Sequence, residues 1–278
     1  MSENNYCVIG KSLPHTASPF IHNHLMRLRG ISGQYSVKEF PDGLFRQDIT
    51  ELSRLAGFNV TIPFKTEIIP FLEQVDKSAQ LYNSVNTIKS TGGKMYGYNT
   101  DCLGFLGALE LIDCRLEGRV LVLGNGGVAR TAAFESVRAG AQLTIAGRSE
   151  SKCLKLRSEV LAKFPKASVK TACLSEISGE YDLLVNCTPV GMYPNVGECP
   201  VNESVIEKCA CVYDMIYNPK ETELIRKAAR MGKKCSSGMS MLVIQAAQAQ
   251  KIWNNVDFSQ AELLDLVEKT NRFLEDNF

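Results

Sequence analysis

Short apolar runs of strand length alternate along this chain with longer stretches whose apolar residues recur at helical spacing. Early in the chain, Tyr6 to Gly10, Tyr35 to Phe40, Phe58 to Ile62, Ser84 to Lys89 and Met95 to Asn99 read as strands. Between the first two, Ile21, Leu25 and Leu28 share one face of a helix over Pro19 to Arg29. Ser18 is placed as its N-cap, Pro19 at its first position and Gly30 just past its end.

From Val120 onward the alternation becomes regular. Val120-Leu-Val-Leu123, Leu143 to Ile145, Val169 to Cys173, Tyr181 to Asn186, Val212 to Ile216 and Lys234-Cys235 are strand candidates. Val128 to Ala139, Ser151 to Ala162, Val201 to Lys208 and Glu221 to Met231 are helix candidates. Strand followed by helix, repeated, predicts an α/β fold with a parallel sheet covered on both faces. Leu103 to Leu111 reads as a helix bridging the two halves.

The tail returns to helix. Leu242, Ala246, Ala249 and Trp253 fall on one face, and Ser259-Gln-Ala-Glu262 is a capping box with Phe258 and Leu263 set for a hydrophobic staple. With no strand after it, this helix pair is expected to pack on the N-terminal part. The organisation expected is an N-terminal α/β domain of residues 1–102 and 240–278, and a second domain of residues 103–239. Two domains joined twice by the chain are expected to leave a cleft between them.

Composition narrows the function without naming it. Lys and Arg total 31 against 30 Asp and Glu, a net charge of +1, so no global field draws nucleic acid or an anionic membrane. The start, Met1 to Asn5, is polar, and no apolar run reaches bilayer length; a cytoplasmic protein is expected. Ten scattered cysteines without a C-x-x-C pair read as reduced thiols, several within apolar runs. Of the three histidines, His15, His22 and His24, the last two fall on different faces of a helix, so no metal site is expected.

Gly124-Asn-Gly-Gly-Val-Ala129 carries the first chemistry. It joins an apolar strand to a helix start, the arrangement of a dinucleotide-binding turn. Gly124 permits the tight turn, Gly126 lets backbone N–H groups approach a pyrophosphate, and Ala129 lets the helix lie close to the strand. The second domain is therefore expected to be a Rossmann domain with a mostly parallel sheet. Its second strand ends Ile145-Ala-Gly-Arg148-Ser149 with no acid to receive a ribose 2′-hydroxyl. Arg148 with Ser149 and Lys152 instead suits a 2′-phosphate, which favours NADP(H); Glu150 beside them opposes that phosphate if it turns inward.

Two further segments place polar groups at strand ends. In Asn59-Val-Thr61-Ile-Pro63-Phe-Lys65 the proline ends the strand and Lys65 emerges beyond it, placed to give or take a proton. Gly97-Tyr-Asn99-Thr100-Asp101 ends another strand. Were these two strands neighbours in a parallel sheet, Lys65 and Asp101 would meet at one edge. In His15-Thr16-Ala-Ser18-Pro19, two hydroxyls beside a helix N-terminus make a receptor for a carboxylate.

Taken together, these segments resemble the shikimate dehydrogenase family, including its quinate-using relatives, over nearly the full length. Val8-Ile-Gly10 through Asn23 is similar to the family's opening motif. Asn59 to Lys65, Ser84-Val-Asn86-Thr87, and Gly97 to Asp101 are similar to its catalytic-lysine, substrate-asparagine and catalytic-aspartate segments. Asn186-Cys-Thr188-Pro-Val-Gly191-Met192, Tyr213-Asp214-Met-Ile-Tyr217-Asn218-Pro219 and Met241-Leu242-Val-Ile-Gln245-Ala-Ala247 are similar to its C-terminal signatures.

The resemblance implies reversible NADP-linked oxidation of the shikimate 3-hydroxyl, with Lys65 and Asp101 catalytic. It implies a carboxylate site at Thr16 and Ser18, and contacts to ring hydroxyls from Thr61, Asn86, Asp101 and Gln245, with Tyr217 near substrate and nicotinamide. Gly124, Asn125, Gly126, Gly127, Val128, Arg148, Ser149 and Lys152 would hold the cofactor phosphates, with Met215 and Gly238 near the nicotinamide. A small-molecule substrate and a monomer or homodimer are expected.

The chain departs from the family pattern in places. Thr16 stands for a serine, Cys102 and Ser240 for glycines, and Asn125, read as facing solvent, for an alanine. Gly147-Arg148-Ser149 stands where Asn-Arg-Thr is frequent, so a quinate/shikimate dehydrogenase using NAD(H) is the alternative.

Overall fold

The structure, a computed structural model, describes residues 4–14 and 16–277; His15 of the opening motif and the residues preceding Asn4 lie outside them. The described residues of Met1–Gly104 and Val243–Phe278 form one compact unit, and Phe105–Leu242 forms another.

The first unit is built on a six-stranded sheet: β1 (Asn4–Gly10), β2 (Gly33–Glu39), β3 (Gly57–Val60), β4 (Gln74–Val75), β5 (Thr87–Thr91) and β6 (Lys94–Tyr98), in the order β2-β1-β3-β5-β6-β4. β1 pairs in parallel with β2 and β3, while β5 runs antiparallel to both β3 and β6. The strands delivering Lys65 and Asp101 are therefore not neighbours; β5 lies between them. Two antiparallel steps across β5 restore the direction, so β3 and β6 both end at the same edge.

Helix α1 (Ser18–Leu28) follows β1. Ser18 is not its N-cap, which corrects the sequence reading. Ala17 already has helical dihedrals (φ −83°, ψ −6°) and precedes the helix without a side-chain cap. The other end is a Schellman motif: Gly30 at φ +61° donates to Arg27 O at 3.1 Å, and Ile31 donates to Met26 O at 3.0 Å. His22 on this helix is buried, stacked on Tyr35 at 4.0 Å between ring centroids and 3.1 Å from Gln250. Burial pushes its pKa down to about 3.

Short α2 (Ile49–Leu52) and α3 (Lys77–Tyr82) complete the connections. Phe45, Phe58 and Phe64 pack in one buried cluster with Ile9, Val60 and Ile88. Burying Phe64 next to Lys65 holds the turn after β3 against the core. Helix α4 (Asp101–Leu111) starts two residues earlier than the sequence pattern suggested. Asn99 explains the start, since its Oδ1 accepts from the backbone N–H of Asp101 at 3.0 Å.

The second unit has β7 (Arg119–Leu123), α5 (Gly127–Arg138), β8 (Gln142–Gly147), α6 (Glu150–Lys163), β9 (Val169–Cys173), β10 (Tyr181–Asn186), α7 (Glu203–Glu207), β11 (Cys209–Asp214), α8 (Glu223–Arg230) and β12 (Lys234–Ser236). Its sheet order is β12-β11-β10-β7-β8-β9, and every pairing is parallel. The chain winds outward from β7 in both directions. The order reverses between β7 and β10, where doubly wound folds take their ligand at the strands' carboxyl ends.

The chain ends in α9 (Met239–Asn254) and α10 (Gln260–Asn277). Trp253 stacks on Tyr6 at 4.8 Å, and its Nε1 donates to Ile88 O at 2.8 Å. A Cβ on Gly57 would lie 2.3 Å from that indole nitrogen, so only glycine fits there. The capping box forms as read: Ser259 N donates to Glu262 Oε2 at 2.7 Å, and Glu262 N donates to Ser259 Oγ at 3.3 Å. Among the described residues no helix is long and apolar enough to cross a membrane.

Candidate active site

Lys65 and Asp101 meet in the first unit, with Nζ donating to Oδ2 at 2.6 Å. The lysine side chain is 22% exposed and the aspartate 8%, so the amine is the part solvent or a ligand reaches. Asp101 opens α4, where the positive end of the helix dipole favours a carboxylate. Its other oxygen accepts from Asn86 Nδ2 at 2.8 Å.

Asn86 organises the site. It stands just before β5 and is buried. Its Nδ2 also reaches Thr100 Oγ1 at 3.1 Å and Gln245 Oε1 at 3.3 Å. Its Oδ1 accepts from Thr100 N at 2.8 Å and from Thr87 Oγ1 at 3.0 Å. A buried amide with each end engaged has one orientation, because any other leaves groups unsatisfied. Asn59 extends the web: its Nδ2 donates to Asn86 O and to Thr87 Oγ1, each at 3.0 Å, while Tyr35 OH donates to its Oδ1 at 2.7 Å.

Thr87, Thr100 and Asn59 were not singled out from the sequence as site residues. The signal was there: Asn86-Thr87 and Asn99-Thr100 are two Asn-Thr pairs flanking strands that turn out adjacent.

The remaining first-unit candidates lie on two other segments. Thr16 Oγ1 donates to Ser18 Oγ at 3.2 Å and accepts from Ser18 N at 3.3 Å, which gathers both half-buried hydroxyls at the start of α1. Thr61 follows β3, with its methyl carbon against Gly10; a Cβ there would lie 2.8 Å away. The Thr16 and Ser18 hydroxyls bond to each other rather than to the Lys65 cluster, whereas Gln245 joins that cluster through Asn86.

In the second unit, the glycine turn leaves β7 at the reversal point. Gly124 has φ +104°, and a Cβ on it would lie 3.0 Å from Cys187 O, so both conformation and space require glycine. Cβ atoms on Gly126 and Gly127 would meet nothing within 4 Å. The exposed backbone there opens α5, and such a cradle fits a pyrophosphate. Asn125 does not face solvent as read; it is half-buried, and its Nδ2 donates to Cys153 Sγ at 3.7 Å.

Arg148 and Lys152 are exposed beyond β8, and Ser149 Oγ lies 3.2 Å from Ser151 Oγ. Glu150 is exposed in the first turn of α6. Gly238 approaches Met215 so closely that a Cβ would sit 2.3 Å from Met215 O.

Asp214 anchors the loop carrying Met215 and Tyr217. It is buried and accepts from Asn186 Nδ2 at 2.9 Å, Ile216 N at 3.1 Å and Thr222 Oγ1 at 2.7 Å. Burial raises its pKa to about 6 against the lowering effect of those bonds. Burial also raises the pKa of half-buried Tyr217.

Comparison with known proteins decides the family. Residues 8–88 match the shikimate dehydrogenase substrate binding domain. Shikimate dehydrogenase (NADP(+)) of Caldicellulosiruptor saccharolyticus is 36% identical over 95% of this chain and 98% of its own. The chain belongs to the shikimate dehydrogenase family. The namesake enzyme of Methanocaldococcus jannaschii is 37% identical over 90% of this chain and 91% of its own. The crystal structure of Thermus thermophilus shikimate 5-dehydrogenase in complex with NADP(H) and shikimate superimposes with a TM-score of 0.86. It is 29% identical and covers 96% of this chain and 99% of its own.

Proposed function

We propose that this chain catalyses the reversible NADP(H)-linked interconversion of 3-dehydroshikimate and shikimate. The observation that carries this reading is the 2.6 Å contact between Lys65 Nζ and Asp101 Oδ2, locked by the Asn86 amide that also reaches Gln245.

When bound, NADPH supplies a hydride to the substrate carbonyl carbon. Negative charge then grows on the carbonyl oxygen, and Lys65 Nζ, as an ammonium, donates the proton that makes the hydroxyl. In the oxidising direction the neutral amine takes that proton back. Asp101 accepts hydrogen bonds from Lys65 and Asn86 and fixes the direction of the amine. Gln245, Asn86 and Thr61 supply donors and acceptors for the ring hydroxyls. Thr16 and Ser18 donate to the substrate carboxylate beside the positive end of α1. Gly124 to Val128 would cradle the cofactor pyrophosphate, and Arg148, Ser149 and Lys152 would hold the 2′-phosphate. Met215, Tyr217 and Gly238 would border the nicotinamide.

All ten cysteines are free thiols, which supports a reducing, cytoplasmic setting. Oxidation of NADPH on addition of 3-dehydroshikimate tests the proposal. Turnover that requires both compounds is expected; cofactor binding without turnover of shikimate, quinate or their keto forms would overturn it.

A further inference from the structure

Residue 147 brings no side chain to the end of β8, and a different residue occupies the space. A Cβ on Gly147 would lie 3.1 Å from Asn125 Nδ2 and 3.0 Å from Cys153 Sγ. Asn125 belongs to the glycine turn after β7, and Leu123 pairs with Ala146, so the two strands release their loops side by side. The Asn125 carboxamide thus reaches sideways from the phosphate cradle to the end of the second strand, directly before Arg148. Doubly wound dinucleotide sites read the ribose 2′ position at that strand end.

Among the described residues the Asn125 side chain makes one hydrogen bond, from Nδ2 to Cys153 Sγ at 3.7 Å. A thiol sulfur is a weak acceptor, and the amide has a second N–H.

We propose that Asn125 is a specificity-determining residue for the cofactor, its amide N–H donating to the ribose 2′-phosphate beside the Arg148 guanidinium. The inference rests on the NADP(H) reading above and extends it to a residue outside the strand end. A neutral amide bonds either a 2′-phosphate or a 2′-hydroxyl, but the bond to the phosphate is charge-assisted and about twice as strong. Its loss therefore falls mainly on NADP(H). Asn125 Nδ2 and Cys153 Sγ together fill the space over Gly147, so the Asn125 amide stands where a side chain at 147 would lie.

Calorimetric titration of the substrate-free protein with NADP+ and NAD+ tests this without any turnover. Asn125→Ala is expected to weaken NADP+ by about tenfold, the value of one hydrogen bond to a charged group, and NAD+ by much less. Asn125→Asp, nearly isosteric, keeps the packing and places a carboxylate against the phosphates, so NADP+ weakens further, and by more than NAD+, which lacks the 2′-phosphate. Gly147→Asn is expected to weaken NADP+ by crowding Asn125 and Cys153. Melting temperatures identify any variant that fails to fold. An unchanged NADP+/NAD+ ratio in both Asn125→Ala and Asn125→Asp would overturn the proposal and leave the NADP(H) reading standing. A wild-type protein that binds no NADP+ would overturn both.

Discussion

Lys65 Nζ lies 2.6 Å from Asp101 Oδ2, although a third strand separates the two strands that deliver these residues. β5 runs antiparallel to both, so β3 and β6 point the same way and release their following residues at one edge. The same strand begins at Thr87, directly after Asn86, whose amide donates to the other oxygen of Asp101. One strand therefore sets both the direction and the orientation of the proton-handling pair.

Asn86 is the side chain whose loss disturbs the site most widely. Asn86→Ala leaves Asp101, Thr100 and Thr87 short of partners in a buried place. The expected cost is about 1–3 kcal/mol of folding stability together with a large fall in kcat. Urea denaturation checks the first and steady-state kinetics the second. A variant with wild-type stability would show that the amide is not the organising group.

Arg148 carries the cofactor preference. Arg148→Ala is expected to raise KM for NADPH roughly ten- to a hundredfold, the value of a charge-assisted bond to phosphate, and to leave NADH use little altered. Side-by-side assays with the two cofactors measure this. Equal losses would remove the 2′-phosphate from the contact.

His22 makes the first unit sensitive to acid. Its folded pKa of about 3 lies below the ordinary value of 6.5 because it is buried. The unfolded chain therefore binds the proton more readily across that interval. The contribution is intact above about pH 6.5 and declines as pH falls toward 3. Asp214 has the opposite sign: its raised value of about 6 means that its burial costs stability above that pH and is relieved below it. Melting temperatures measured from pH 7 to pH 4 are expected to fall less steeply in His22→Phe than in the wild type. Parallel curves would contradict the assignment.

Much of this was legible in the sequence where the signal is local. The glycine turn after Val120 to Leu123, the Schellman glycine at Gly30 and the Ser259–Glu262 capping box each depend on a few consecutive residues, and each is found. Lys65 and Asp101 were visible as polar residues beyond strand ends. Strand order was not legible, because pairing joins segments far apart in the chain; β5 between β3 and β6 follows from no periodicity. β4 is two residues long and shows no pattern, while α3 is announced only by its ends, Asp76 capping Ser78 N at 2.9 Å and Asn83 at φ +49°. Ser18 matched a capping signal, yet Ala17 took helical dihedrals and left its hydroxyl to Thr16. The direction of the Asn125 side chain depends on the absent side chain at Gly147, a relation between two strands that neither reveals alone.

Proton transfer by Lys65 is examined most directly through the single-turnover and steady-state rates of Lys65→Ala, with shikimate binding measured in parallel. The expected outcome is a fall in kcat of about a hundredfold to ten-thousandfold, the range of a lost general acid–base, with shikimate affinity little changed. A variant that keeps near-wild-type kcat would contradict this, and Lys65 would then be a structural partner of Asp101 and nothing more.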